Sequence, residues 1–290
     1  MKEERIIERV ALKIGYLGTN YHGFQIQPRM ELPTIEGELF EALKKLDLIE
    51  DRKAANYSAA GRTDKGVHAL SQVVSFDTSN PNVTPRMINS MLPDDIWVFA
   101  LAKTHSGFNA RKDAITREYR YFLFLPDADE FSDLDVALTR MREASELFIG
   151  AHDFSNFSQL HSGDRTIESY STIREIKRVE INMDMEKGNS FIIIDIEANG
   201  FLRKMVRKIV SALRMVGSGI KDKRWIGDLL QLRMKEQIEP APAFGLLLKN
   251  VSYRGIKFLV DEYARRRILE RLKKDLYFHA TIARMLEDMM

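Results

Sequence analysis

The residues most able to do chemistry lie in one short stretch, Ser58-Ala-Ala-Gly-Arg-Thr-Asp-Lys-Gly-Val-His-Ala, followed by Leu70-Ser-Gln-Val-Val-Ser-Phe. Gly61 and Gly66 permit backbone angles that other residues resist, so the spacing describes a tight loop that presents Arg62, Asp64 and His68 together. Taken alone, Gly-Arg-x-Asp reads as a turn with a surface ion pair of little energetic weight. The chain has no cysteine, which excludes a thiol nucleophile, a CxxC redox site, Cys-ligated zinc and iron–sulfur clusters. What remains is carboxylate, tyrosine and arginine chemistry. His68, His152 and Asp153 invite a metal or acid–base reading, but the six histidines bring no third clustered ligand, so no metal site is expected.

The elements that must position this loop follow from periodicity. Val10, Leu12, Ile14 and Tyr16 alternate as a strand, and residues 70–77 and Trp97 to Ala102 read as two more. Thr34 opens a helix with Ile35, Leu39, Phe40, Leu43 and Leu46 on one face, and Pro85 to Leu92 forms a short one. Near residues 103–110 the pattern restarts. Glu118 to Leu125 is a strongly β-prone run stopped by Pro126, and Ser132 with Asp135 resembles a capping box for a helix ending at Gly150. Residues 172–182 and 190–197 pair across a Lys187-Gly-Asn turn, and a long helix carrying Phe201, Leu202, Met205, Val206, Ile209, Val210 and Leu213 follows Asn199-Gly200. Strands then helix, in both halves, predict α+β with two antiparallel units. Their boundaries are set at 1–104 and 105–254, with a helical extension at 255–290. In that extension Leu269, Leu272, Leu276, Ala283, Leu286 and Met290 fall at three- and four-residue spacings, broken once at His279. The expectation is a helix packed on its own core, with a dimer seam second.

At 290 residues, 30% charged and 44% hydrophobic, the chain is of a size for one large or two medium globular domains and excludes wholesale disorder. The acidic and basic first residues do not form a secretory signal, and no apolar run is long enough to span a membrane. The net charge of +2 argues on its face against a nucleic-acid partner. It hides a separation. Arg203, Lys204, Arg207, Lys208, Arg214, Lys221, Lys223 and Arg224 stand against the single acid Asp222, while Asp127, Asp129, Glu130, Asp133 and Asp135 form an acidic stretch without a base. A basic helix with an apolar reverse suits a polyanion footprint, without deciding among RNA, DNA and an acidic protein.

The extended loop resembles the signature segment of the TruA family of tRNA pseudouridine synthases. So do, in order, Tyr16-Leu-Gly-Thr-Asn-Tyr-His-Gly-Phe-Gln, Leu92-Pro-Asp-Asp-Ile, Phe108-Asn-Ala-Arg-Lys-Asp-Ala and Arg117-Glu-Tyr-Arg-Tyr. Gly150-Ala-His-Asp-Phe-Ser-Asn-Phe, Gly200-Phe-Leu-Arg-Lys-Met-Val-Arg and Ala241-Pro-Ala-Phe-Gly-Leu complete the set. Eight ordered blocks make a far more specific signal than any one motif. The resemblance implies two similar ferredoxin-like (RRM-like) subdomains joined into one central sheet, with the active-site cleft between them. It implies isomerisation of uridine to pseudouridine in the anticodon stem-loop of tRNA, around positions 38 to 40, with no cofactor, no metal and no membrane, by a cytoplasmic homodimer whose RNA cleft is built from both subunits.

The roles implied are as follows. Asp64 is the catalytic carboxylate, either attacking ribose C1′ or assisting loss of a ribose proton. Tyr121 stacks on the uracil and takes part at the C5 proton, and Arg207 pairs with Asp64. Arg62 enters the RNA to hold the target nucleotide flipped out, and Leu246 packs on the base. Lys65, where many relatives have a small residue, adds a phosphate contact, and His68 is structural or close to the RNA. Ser211 replaces a usual glycine, away from any catalytic role. The competing reading is a non-catalytic RNA-binding or chaperone protein, which would not require Asp64. A carboxylate glycosidase would want a paired acid in the same loop, and none is there.

Overall fold

The computed structural model describes residues 7–27, 32–125, 131, 133–159, 171–184 and 191–290. Apolar strands in both halves hydrogen-bond into one ten-stranded sheet. The first half contributes β1 (Glu8–Tyr16), β2 (Ser58–Ala59), β3 (His68–Thr78) and β4 (Ile96–Thr104). The second contributes β5 (Ala114–Phe124), β6 (Gly150–Asp153), β7 (Ile173–Asp184), β8 (Phe191–Ala198) and β9 (Leu246–Tyr253), and β10 (Leu259–Val260) follows. Along the sheet the order is β10-β4-β1-β3-β9-β5-β8-β7-β6, with β2 beside β3. The fold is thus α+β, as expected. The two halves repeat one arrangement, since β1 lies between β4 and β3 as β5 lies between β9 and β8.

The halves meet through a single parallel ladder, His68 opposite Leu247 and Ala69 opposite Leu248; every other ladder among the described residues is antiparallel. So short a ladder needs reinforcement, and Arg117 supplies it. Its guanidinium donates to the carbonyls of Ala60 at 3.1 Å in the first half and of Asn199 at 2.9 Å in the second. It also donates to Ala114 and Arg111, so one side chain ties four turns of backbone to the seam.

The helices cover the sheet with their apolar faces. They are α1 (Ile35–Lys45), α2 (Pro85–Asn89), α3 (Leu134–Ser145), α4 (Met205–Gly217), α5 (Lys223–Leu230) and α6 (Glu262–Met289). Thr34 caps α1 by accepting from Gly37 N, as the sequence predicts. The α3 cap is Asp133, accepting from Val136 N. Ser132, most of the acidic stretch (Asp127, Asp129, Glu130) and the Lys187 turn lie outside the described residues. The helix after Gly200 starts later than its apolar pattern suggests: Lys204 is left-handed, with φ +60°, and holds Phe201 and Leu202 in a turn before α4.

The largest departure is α6. Its start is anchored by Asp261, which caps it and pairs with Arg86 at 2.9 Å, and by Arg271 lying over Trp97. Only Ala264 and Ile268 are buried. From Lys273 onward every residue but Asp275 is exposed, so the helix does not pack on its own core. The reason is geometric: α6 leaves from β10 at the outer edge of the sheet, and only its first turns overlie β4 and α2.

Candidate active site

The Asp64 loop is built where β2 leaves the sheet. Ala60 N still donates to Val73 O, but at Gly61 the ladder is continued by a side chain. Gln72, fully buried, accepts from Gly61 N at 3.2 Å and donates to Gly61 O at 3.0 Å, the two bonds a neighbouring strand would make. The chain then turns, Val67 N donating to Asp64 O across Gly66, whose φ of +79° is one that side chains resist. The loop rests on residues 16–24. Phe24 N donates to Thr63 O, the Tyr16 hydroxyl meets Thr63 Oγ1 at 2.8 Å, and a Cβ on Gly18 would stand 2.0 Å from Val67 O. Asp64 is therefore carried on a loop clamped from both sides, at the seam between the halves.

Across the seam α4 delivers the cations. Arg207 Nη1 donates to Asp64 Oδ2 at 3.4 Å, and Arg203 Nε lies 3.8 Å from Asp64 Oδ1. Arg207 is fixed twice to one residue: its Nε donates to Ala241 O at 2.5 Å, and its own carbonyl accepts from Ala241 N. The carboxylate keeps about a quarter of its surface open, with Arg207 largely covered. Helical spacing puts Arg207 and Arg214 on one side of α4, where both act on Tyr121, and Arg203 reaches Asp64 from the turn before the helix. The rest of the basic cluster is dispersed. Lys208 turns inward, donating to Ser158 O at 2.7 Å, and burial lowers its pKa. Lys221 pairs with Glu236 and Lys223 with Glu143. The uniform basic face expected of residues 201–224 is thus thinned to a stripe that keeps Arg203, Arg207 and Arg214, because carbonyls and carboxylates of the body capture Lys208, Lys221 and Lys223.

Tyr121 closes the back of the cleft. It is buried, its hydroxyl donates to Pro242 O at 3.1 Å, and it stands opposite Leu246 in the β5–β9 ladder. Burial raises its pKa, opposed by the charges of Arg207 and Arg214. A Cβ on Gly245 would come within 2.8 Å of its ring, so the 241–246 segment wraps tightly around both Tyr121 and Arg207. Tyr119, two residues earlier on the same side of β5, is pushed up by burial and then by the charge of Asp64. Leu246 is buried at the end of β9.

The other expected residues lie around this cluster. His68 accepts from Gly18 N through Nδ1 at 3.2 Å, and burial lowers its pKa against a backbone contact with Phe244, so it braces the loop. Lys65 is exposed, its Nζ 3.3 Å from His22 Nε2. Arg62 is exposed and lines a separate cavity of about 170 Å³ behind the loop. His152 Nε2 lies 3.0 Å from Ile149 O, and Asp153 accepts from Ser155 N. Among the described residues no three His, Asp or Glu side chains gather as metal ligands, and no helix is long and apolar enough to cross a membrane.

Sequence reasoning assigned no role to Gln72, Arg117 or Arg203 as individual residues. The first two stand inside distinctive blocks, in Ser71-Gln-Val and Arg117-Glu-Tyr-Arg-Tyr, which was the one signal they gave. Together the residues hold a part-exposed carboxylate at the seam, two guanidiniums beside it and an aromatic ring fixed by the segment that fixes Arg207. That arrangement can stabilise charge at a carbon attacked or deprotonated by Asp64 while a flat ring lies against Tyr121.

A family model described as tRNA pseudouridine synthase matches residues 144–254. The chain is 45% identical over 285 residues to tRNA pseudouridine synthase A of Methanosarcina acetivorans, covering 97% of this chain and 98% of that one. It is 40% identical over 288 residues to tRNA pseudouridine synthase A of Thermococcus sibiricus, with 97% and 98% covered. A solved Cbf5-Nop10-Gar1 complex is similar at a TM-score of 0.32 and 14% identity, over 70% of this chain and 44% of that one.

Proposed function

The chain belongs to the TruA family of tRNA pseudouridine synthases, and from that premise we propose that it isomerises uridine in the anticodon stem-loop of tRNA, around positions 38 to 40, with Asp64 as its catalytic carboxylate. In this reading the C1′–N1 bond of the target breaks, the uracil turns, and a C1′–C5 bond forms. The proton lost from C5 balances the one gained at N1, so no cofactor is needed. Asp64 acts on the ribose side, and Arg207 pairs with it and orients it. Tyr121 supplies a ring for the base to stack on and a hydroxyl near the C5 proton, and Leu246 packs beneath. A bond inside a stem is out of reach, so the nucleotide is flipped and Arg62 takes its place, with Lys65 on phosphate and His68 bracing the loop.

The observation that carries this reading is the Asp64–Arg207 pair itself. Its two members are 143 residues apart in the chain and meet at the seam, with Tyr121 fixed behind by the same 241–246 segment. The seam also supports reading 1–104 and 105–254 as two subdomains around a cleft. We read the enzyme as a cytoplasmic homodimer, with 255–290 as its helical extension. The exposed α6 side supports the dimer. The three-then-four spacing of Leu269, Leu272 and Leu276 before His279 is repeated by Ala283, Leu286 and Met290 after it, an apolar stripe that a second copy would cover. A monomeric mass at assay concentration would remove that part.

The test is tritium release from tRNA carrying 5-tritiated uridine, with wild type against Asp64→Asn. Release is expected from wild type alone. No release from any tRNA would end the enzyme reading, and release that persists in Asp64→Asn would end the role given to Asp64.

A further inference from the structure

Behind the Asp64 loop runs a groove of which the chemistry above uses only Arg62. The cavity lined by Arg62 opens into a larger one of about 720 Å³, and the two share Arg52, Tyr57 and Asn109. The groove thus starts two residues from Asp64 and continues between residues 52–57 and the 106–112 loop.

Its walls are strongly cationic. Arg9, Arg52, Lys53, Arg62, Arg111 and Lys112 face two carboxylates, Glu36 and Asp77. Both acids are already engaged. Asp77 pairs with buried Arg9 at 3.0 Å and accepts from Asn56, while buried Glu36 pairs with Arg52 at 3.1 Å and accepts from Ile26 N. The neighbouring carboxylates Asp51 and Asp113 accept from loop amides. Lys53, Arg62, Arg111 and Lys112 are exposed, and none is in an ion pair among the described residues. One polar group is also left over: the Tyr57 hydroxyl, on a side chain more than nine-tenths buried that borders both cavities, has no hydrogen-bond partner among the described residues.

We infer that this groove is a binding track for the phosphodiester backbone of the RNA strand that continues from the nucleotide held at Asp64. The inference rests on the proposed function for the choice of RNA. An open groove whose exposed side chains are mostly cations suits phosphates rather than base edges. The amides of Asn56 and Asn109 and the Tyr57 hydroxyl suit ribose hydroxyls. Continuity with Arg62 gives the track its origin: a strand whose target base is turned toward Asp64 has its next phosphates at the mouth of the groove.

The experiment measures tRNA binding by filter retention across a salt series for wild type and for the triple variant Lys53→Ala, Arg111→Ala, Lys112→Ala. A control, Lys44→Ala with Lys45→Ala, alters exposed cations outside the groove. Removing one cation that neutralises a phosphate reduces the slope of log K against log salt by about 0.7–0.9, so the triple variant should lower it by about 2 and weaken binding at least about tenfold near physiological salt. The control pair should leave the slope unchanged. A triple variant with wild-type slope and affinity would overturn the track. So would an equal loss in the control, which would mean that net charge alone is read. The tritium assay on the same wild-type preparation separates the two ideas: its failure would end the proposed reaction, while the salt slopes would still decide the groove.

Discussion

Two aspartates in this protein each face two cations, and the contrast between them separates holding a fold from doing chemistry. Asp195 on β8 accepts from Arg120 on β5 through both oxygens, at 2.9 and 2.7 Å, and Lys249 on β9 stands 3.5 Å away. Glu118, Arg178 and Lys249 extend the network across four strands, β9, β5, β8 and β7. Burial alone would raise the Asp195 carboxyl, but Arg120 and then Lys249 outweigh it and hold it below the usual carboxylate range. Asp64 receives its cations at 3.4 and 3.8 Å, and its better partner has Nε turned away to Ala241. A carboxylate gripped at both oxygens has little lone-pair capacity left for a substrate. One met by its cations at a longer distance keeps its oxygens available.

If that contrast is right, the same change should do opposite things at the two sites. Asp64→Asn should lower tritium release by about 10³-fold or more while leaving the melting temperature near wild type. An Asp64→Asn protein that melts early would make Asp64 a fastener like Asp195. The mirror variant, Asp195→Asn, leaves Arg120 without its paired carboxylate and Lys249 with Glu118 alone. It should cost about 3 kcal/mol of stability in denaturant melts, with the turnover of folded enzyme little changed. Arg207→Lys keeps the charge but cannot hold Ala241 O and Asp64 at once. A drop of about 10²-fold in single-turnover rate, with tRNA affinity kept, would sharpen the assignment; a lost affinity with intact rate would move Arg207 to the phosphate-binding stripe. The smallest effect is in pH. Because the Asp195 pKa is depressed on folding, its stabilisation is present above the unfolded value near 4 and is lost as pH falls through the folded one. Wild type should therefore lose stability more steeply than Asp195→Asn between about pH 4 and 2, and parallel curves would remove the depressed carboxyl from the account.

Much of this arrangement was legible in the sequence where short-range rules govern. The alternation of Val10 to Tyr16, the Thr34 cap and the turn at Gly66 all follow from neighbours a few residues away. Asp64, Tyr121 and Arg207 could be singled out because the blocks that carry them are distinctive in composition and order. What could not be read depends on long-range contact. Gln72 replaces a strand for Gly61, and Arg117 joins carbonyls 57 and 82 residues away; both are ordinary polar residues until the chain is folded. Lys204 adopts a left-handed angle without being glycine, so no spacing announces where α4 begins. Periodicity told that α6 has an apolar side but not what meets it, and charge counting did not see Lys208 captured by carbonyls.

The order of strands also bears on how the chain is made. β3 is flanked on one side by β9, and β4 by β10, yet both covering segments are synthesised after residue 245. While the ribosome is still in the middle of the message, the first half therefore carries an open sheet edge at β4 and a second at β3 that β2 covers only in part. Open edges of this kind invite pairing with other chains. A nascent chain stalled or cut before β9 is expected to be a chaperone client and to aggregate when released alone, and the short Leu259–Val260 strand, carrying no part of the chemistry, is what closes the last of those edges.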